Sequence, residues 1–281
     1  MPSRGAIVAA ATALVLSGAP AAHAFRVRSF RFVDRSRTIR LPNGARVPRS
    51  IETVVRYPAA GGPYPLIVFG HGFALTPATY TRLLSAWARN DYVVAAPEFP
   101  LERADAPGGP DESDLVNEPR DMSFVIGRLL GLKALAGKVD PARIAVAGHS
   151  DGAETALAVA YDRRFRDPRV RAAVILAGAE LAGMPSFPRR GPPLLAVQGT
   201  ADPINSPGTT AAYFGHAARP KFLLWLVGAS HLPPYTDEEP QLGIVERATT
   251  AFLDHYLKGG PLRALIAATR NGGLTRLVSE P

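Results

Sequence analysis

Cysteine is absent from all 281 residues. That absence excludes disulfides, thiolate metal sites, lipidation on sulfur and a cysteine nucleophile. Also missing is any basic helix or basic stripe interleaved with aromatics. The formal charge is +8, but the arginines are scattered, from Arg26, Arg28, Arg31, Arg35, Arg37 and Arg40 to Arg163, Arg164 and Arg166. This pattern gives no reason to expect nucleic acid, and at most weak attraction to anionic surfaces. After the N-terminus no run is apolar and long enough to span a bilayer, so no stable membrane anchor is expected.

What the chain does have begins with a leader pattern. Arg4 supplies a positive start, Ala6 to Leu16 an apolar stretch, and Ala22-His23-Ala24 a small-residue cleavage site. This reads as a secretory signal peptide over residues 1–24, cut after Ala24. There is no twin arginine. The expected location is extracellular or in the cell envelope. Residues 25–281 then fit one α/β catalytic domain, expected to be a monomer.

Along that domain the period changes. Phe25 to Val33 and Ile51 to Tyr57 alternate apolar and polar residues, as half-buried antiparallel strands do. Continuous apolar runs follow at Leu66–Phe69, Tyr92–Ala95, Ile144–Ala147, Ala173–Leu176, Leu194–Val197 and Phe222–Val227. Such runs suit parallel strands buried on both faces. Amphipathic stretches separate them at Pro77–Arg89, Glu118–Leu135, Ser150–Tyr161, Pro207–Ala217 and Gln241–Leu257. The alternation predicts a mostly parallel, doubly wound sheet flanked by helices on both faces. Leu101 to Asp114, rich in Pro, Gly and acid, reads as a mobile surface loop, and Glu180 to Pro193 as irregular chain. The tail from Gly259 predicts one short helix, Pro261 to Ala268, and frayed chain beyond it.

Gly148-His149-Ser150-Asp151-Gly152 joins an apolar strand to an Ala-rich helix. A serine hydroxyl is a weak nucleophile, and it needs exposure on a sharp turn, a base, and donors for an oxyanion. The flanking glycines permit that turn. Ser150 is therefore the candidate nucleophile. His231 follows the last strong strand and is the candidate base. Asp202 follows the strand before it, and is the candidate acid that orients the base. Glu180, one strand earlier, is the alternative acid. The order Ser, Asp, His is that of the α/β-hydrolases. His71, His149, His216 and His255 have structural readings, with His149 turned away from the nucleophile. The amide of Asp151 and that of Phe73, in Phe69-Gly70-His71-Gly72-Phe73, are the candidate oxyanion donors. Tyr80, Phe99, Glu180, Leu232 and Tyr235 are candidate pocket walls.

These segments resemble the α/β-hydrolase superfamily. Val139-Asp140-Pro141-Ala142-Arg143 through Gly148-His149-Ser150, with Gly199-Thr200-Ala201-Asp202 and Gly228-Ala229-Ser230-His231, looks like its dienelactone-hydrolase-like branch. That branch includes chlorophyllases, platelet-activating-factor acetylhydrolases and polyester hydrolases. The resemblance runs from about Ile51 to Leu257 and implies a serine esterase without cofactor or metal. Polyester hydrolases usually carry methionine at the position of Asp151, a tryptophan near Glu180 and a C-terminal disulfide. All three are absent here, which argues against a polyester hydrolase, and the carboxylates of Asp151 and Glu180 imply a more polar cleft mouth than a polymer cleft would have. The expected function is a secreted serine hydrolase acting on a small-molecule or lipid ester. The alternatives are a cell-envelope acyltransferase with the same triad and a non-catalytic binder on the same scaffold.

Overall fold

The structure is a computed structural model that describes residues 23–184, 187–188 and 190–281. Nearly all of the leader reading, residues 1–22, lies outside the described residues. So do Pro185, Ser186 and Arg189 of the 180–193 segment, whose described part carries no helix or strand.

The chain opens with two long antiparallel strands, β1 (Phe25–Arg40) and β2 (Arg46–Pro58). Both are longer than the alternating segments predict, because the hairpin pairing continues past the half-buried residues. Then come β3 (Tyr64–Gly70), α1 (Thr81–Arg89), β4 (Val93–Glu98), α2 (Glu118–Leu130) and β5 (Val139–His149). They are followed by α3 (Asp151–Tyr161), β6 (Val170–Leu176), β7 (Leu194–Gly199), α4 (Pro207–His216) and β8 (Lys221–Leu226). The chain closes with α5 (Gln241–Lys258), α6 (Leu262–Ala268) and β9 (Thr275–Glu280).

One nine-stranded sheet has the order β1-β2-β4-β3-β5-β6-β7-β8-β9. Its centre, from β4 to β8, is parallel, and both edges are antiparallel. Period-2 alternation divides the apolar strands between two cores. Leu66, Val68, Ile144, Val146 and Ile175 pack with Met122, Ile126 and Leu157 of α2 and α3. Ile67, Phe69, Ala147 and Val174 pack with Leu84, Trp87, Val245 and Phe252 of α1 and α5. This is the α/β-hydrolase fold.

Three segments correct the expectations. The tail does not fray after α6, since β9 pairs antiparallel along the whole of β8 and completes that edge. The Leu101–Asp114 segment is not simply a surface loop: Glu102, Ala106 and Asp114 are buried in it. The predicted helix at Glu118–Leu135 also ends earlier, at Leu130, with a separate 3-10 turn at Lys133–Leu135.

Candidate functional site

β5 ends at His149, and α3 starts at Asp151, so Ser150 alone makes the turn. Its backbone has φ +55° and ψ −125°, a conformation that costs free energy for any side chain. The turn is held by Ser150 N donating to Leu176 O at 3.0 Å. It closes so tightly that a Cβ on Gly148 or Gly152 would collide with backbone atoms of Gly152 or Gly70. Glycine at these positions is a packing requirement.

Three loops at the C-terminal ends of the parallel strands meet at this turn. Ser150 Oγ lies 3.0 Å from His231 Nε2. His231 Nδ1–H donates to Asp202 Oδ2 at 2.8 Å. Asp202 also accepts from Gln198 Nε2 at 3.0 Å, Ile204 N at 2.8 Å and Asn205 N at 3.0 Å. Four donors hold a carboxylate that is almost fully enclosed, so its orientation leaves the imidazole one tautomer. Glu180 is not part of this line. It is partly exposed beside His216, with Nδ1 and Oε1 3.3 Å apart.

The Phe73 and Asp151 amides, beside Ser150, donate to no backbone acceptor in the turns and loops described. The Asp151 amide is the first of α3, where unpaired N–H groups and the helix dipole favour negative charge. A serine hydroxyl with an imidazole acceptor, an oriented tautomer and free amides alongside can perform nucleophilic acyl chemistry.

A cavity of about 490 Å³ opens over Ser150. Its apolar walls are Phe73, Leu75, Pro203, Ile204, Leu232 and Pro233, with Asp151 and Glu112 as its acidic groups. Of the residues expected to form walls, Leu232 does so. Tyr80, Phe99 and Tyr235 do not, being fully buried beneath the site. Tyr80 OH bonds His149 Nδ1 at 2.8 Å, and Tyr235 OH donates to Val197 O at 3.1 Å. Phe99 packs against the His71 ring, and its amide donates to His71 Nε2 at 3.0 Å. Glu180 lies outside the cavity as well. Ile204, 69% exposed, is a wall with only a weak sequence signal, its position two residues after Asp202.

Asp151 introduces a second set of groups. Its Oδ1 is 3.4 Å from Ser150 Oγ, the longer of the two contacts open to that hydroxyl. Behind it, Glu102 and Glu118 are fully enclosed carboxyls. Burial, with Asp151 and Asp114 adding repulsion, pushes Glu102 up to about 8. Burial and the adjacent Glu102 raise Glu118 well above the ordinary glutamate range. Burial also raises Asp151, and raises Glu154 to about 8. Nothing local in sequence pairs residues 102 and 118. Among the described residues no group of His, Cys, Asp and Glu has the arrangement to hold a metal ion, and no helix is long and apolar enough to cross a membrane.

A sequence model described as chlorophyllase matches residues 30–207, which is most of the chain. The chain belongs to the chlorophyllase family. It is 26% identical over 166 residues to chlorophyllase-1 of Arabidopsis thaliana, covering 59% of this chain and 49% of that protein. It is 24% identical over 148 residues to chlorophyllase-2 of the same plant, covering 52% and 44%. The chain thus spans about half the length of the curated relatives it matches. A solved ferulic acid esterase from Streptomyces cinnamoneus superposes with a TM-score of 0.73 at 21% identity, over 94% of this chain and 98% of that one. At that identity the likeness shows the fold. The chlorophyllase-family match contains β5, Ser150 and α3 and extends to Asp202, while His231 lies past its end.

Proposed function

We propose that this chlorophyllase-family protein is a serine carboxylic-ester hydrolase. The observation that carries the reading is the continuous line Ser150 Oγ, His231 Nε2, His231 Nδ1, Asp202 Oδ2, with contacts of 3.0 and 2.8 Å. Ser150 Oγ attacks the ester carbonyl, and His231 takes its proton while Asp202 stabilises the imidazolium. The carbonyl oxygen becomes an oxyanion received by the Phe73 and Asp151 amides. His231 returns the proton to the departing alcohol, leaving an acyl-serine. Water, activated by the same histidine, then releases the acid. The family and the likeness to a ferulic acid esterase support an ester as substrate. The apolar walls favour a neutral acyl group, and the cavity is large enough for one moderate organic group. Export with cleavage after Ala24 and a monomeric state belong to the same proposal.

A fluorophosphonate probe tests it, together with p-nitrophenyl esters of graded chain length. The wild-type protein should label once per chain and turn over the esters. Ser150→Ala should abolish labelling. Ser150→Ala and His231→Ala should each lose about 10⁴-fold or more in turnover, because triad members act as a unit. Retention of a tenth of wild-type activity by either variant would overturn the assignment.

A further inference from the structure

A second polar chain passes beneath the first, and the mechanism above makes no use of it. Gly72 N–H donates to Tyr80 OH at 3.2 Å. Tyr80 O–H donates to His149 Nδ1 at 2.8 Å. His149 Nε2–H donates to the carbonyl oxygen of His231 at 2.8 Å. The direction of the line is determined at both ends: a backbone N–H can only donate and a backbone carbonyl only accept, and an imidazole that donates at Nε2 to a carbonyl must accept at Nδ1 when neutral. Burial, and then the neighbouring His231, push His149 down to about 3, which keeps it in that neutral form. Tyr80 and His149 are both enclosed.

The two ends of this chain are informative. Gly72 immediately precedes Phe73, a proposed oxyanion donor. Gly72 also cannot drift: its carbonyl receives His71 Nδ1–H at 3.0 Å and Leu75 N–H at 3.1 Å, and a Cβ there would press on Ser150 and His149. The other end is the backbone of the proposed base. The His149 and His231 rings are 4.8 Å apart, centroid to centroid, so the elbow histidine also packs against the base. β3, β5 and β8 thus send three separate loops to one buried tyrosine–histidine pair.

We propose that Tyr80 and His149 are positioning residues. They set the Phe73 amide and the His231 imidazole at the separation the transition state needs, by tying both loops to the turn that carries Ser150. Tyr80 lies outside the cavity, and His149 reaches only its floor, beside Ser150, with almost no exposed surface. This rests on the serine-hydrolase reading above. Its consequence is a loss that falls on the chemical step, and most cleanly in a Tyr80 variant, because Tyr80 is no part of the cavity lining while the apolar walls Phe73, Leu75, Ile204 and Leu232 stay in place in either variant. It also predicts that glutamine can replace His149. A planar amide offers one donor and one acceptor at nearly the spacing of the two ring nitrogens, so it can bond Tyr80 and the His231 carbonyl together.

The test is steady-state kinetics on a neutral p-nitrophenyl ester with Tyr80→Phe, His149→Phe, His149→Gln and Ser150→Ala, with thermal unfolding of each. Tyr80→Phe removes one oxygen and should fold even where His149→Phe does not. Tyr80→Phe and His149→Phe should lower kcat about 10- to 100-fold with KM within about threefold, the range a small misplacement of reacting groups produces. His149→Gln should recover most of the His149→Phe loss. The inference is overturned if Tyr80→Phe keeps kcat within twofold of wild type, if the loss falls on KM, or if His149→Gln is as slow as His149→Phe. Failure of the underlying reading looks different: Ser150→Ala would then retain turnover.

Discussion

Two groups of buried carboxylates sit at the start of α2, and they are solved in opposite ways. Asp114 and Asp121 face Arg49, which bonds Asp121 through Nε at 2.7 Å and Asp114 through Nη1 and Nη2 at 2.9 and 2.5 Å. Glu118, between them in sequence, faces the other way. One of its oxygens accepts from Thr155 Oγ1 at 2.8 Å, and its neighbour is Glu102. Burial raises Asp121, but Arg49 and Arg37 pull it back. Burial raises Glu118 and Glu102 with no cation to oppose it. The first group is an ion cluster that fastens β2 to α2. The second is a pair of carboxyls that must keep a proton to remain buried. One helical turn therefore carries both a structural lock and, directly behind Asp151 and Ser150, a group sensitive to pH.

The largest effect should come from breaking the lock. Arg49→Met leaves enclosed Asp114 without its cation and Asp121 with Arg37 alone, which should destabilise the fold by about 3–5 kcal/mol at neutral pH. Urea unfolding measures this. The deficit should shrink on acidification, since a protonated carboxyl needs no cation. A loss below about 1 kcal/mol would mean that Arg37 and water replace Arg49 readily, and the contrast between the two groups would dissolve.

The opposite group should respond with the opposite sign. Glu102 is raised from 4.5 to about 8 in the folded chain. Across that window the folded state keeps a proton that the unfolded chain has released. Stability should therefore fall as pH rises from about 4.5 to 8 and level off above. Glu102→Gln copies the neutral carboxyl and cannot ionise. Its melting temperature should gain on wild type with rising pH, by roughly 10 °C at pH 8.5, an effect of order 4 kcal/mol. A gap that stays constant from pH 5 to 9 would mean that Glu102 is ionised throughout.

These differences also mark what the amino-acid pattern made legible. Ser150, Asp202 and His231 could be picked out because each follows the C-terminal end of an apolar strand, and the order of strands in the chain is enough to rank them. The structure brings those three side chains together. Strand identity was legible for the same reason, since a run buried on both faces is continuously apolar. β9 was not legible: Thr275–Glu280 is half exposed and short, and its reason to exist is the free edge of β8, which no local pattern reports. Tyr80, Phe99 and Tyr235 lie near the motifs, and that nearness alone makes them candidate walls. Proximity in sequence does not say whether a ring faces the cavity or the core, and here packing under the sheet edge decides. The Glu102–Glu118 and Tyr80–His149 contacts join residues 16 and 69 apart, so only the folded chain reveals them.

The smallest expected effect bears on the carboxylate nearest the chemistry. Asp151 is the member of the unpaired group that lines the cavity, with Oδ1 3.4 Å from Ser150 Oγ. Burial raises it, and Glu112, the cavity's other acid, adds repulsion. Once ionised it repels any substrate that carries negative charge, and among the described residues no lysine or arginine lines the cavity to offset it. Asp151→Asn keeps the size and the contact with Ser150 but cannot ionise. Two esters of matched length, one neutral and one ending in a carboxylate, separate charge from every other effect of the substitution. At an effective dielectric of about 20 and a separation of roughly 8 Å the repulsion is about 2 kcal/mol, and salt screening reduces that to about 1. The kcat/KM ratio of anionic to neutral ester should therefore rise about fivefold in Asp151→Asn at pH 8 and low salt. The gain should fade as pH falls and Asp151 takes up its proton, and at 0.5 M salt, where the field is screened. A ratio unchanged at pH 8 would mean that Asp151 remains neutral there, held by Glu102 behind it. The proton would then belong to the whole group rather than to the deeper pair, and Glu102→Gln should in turn release it.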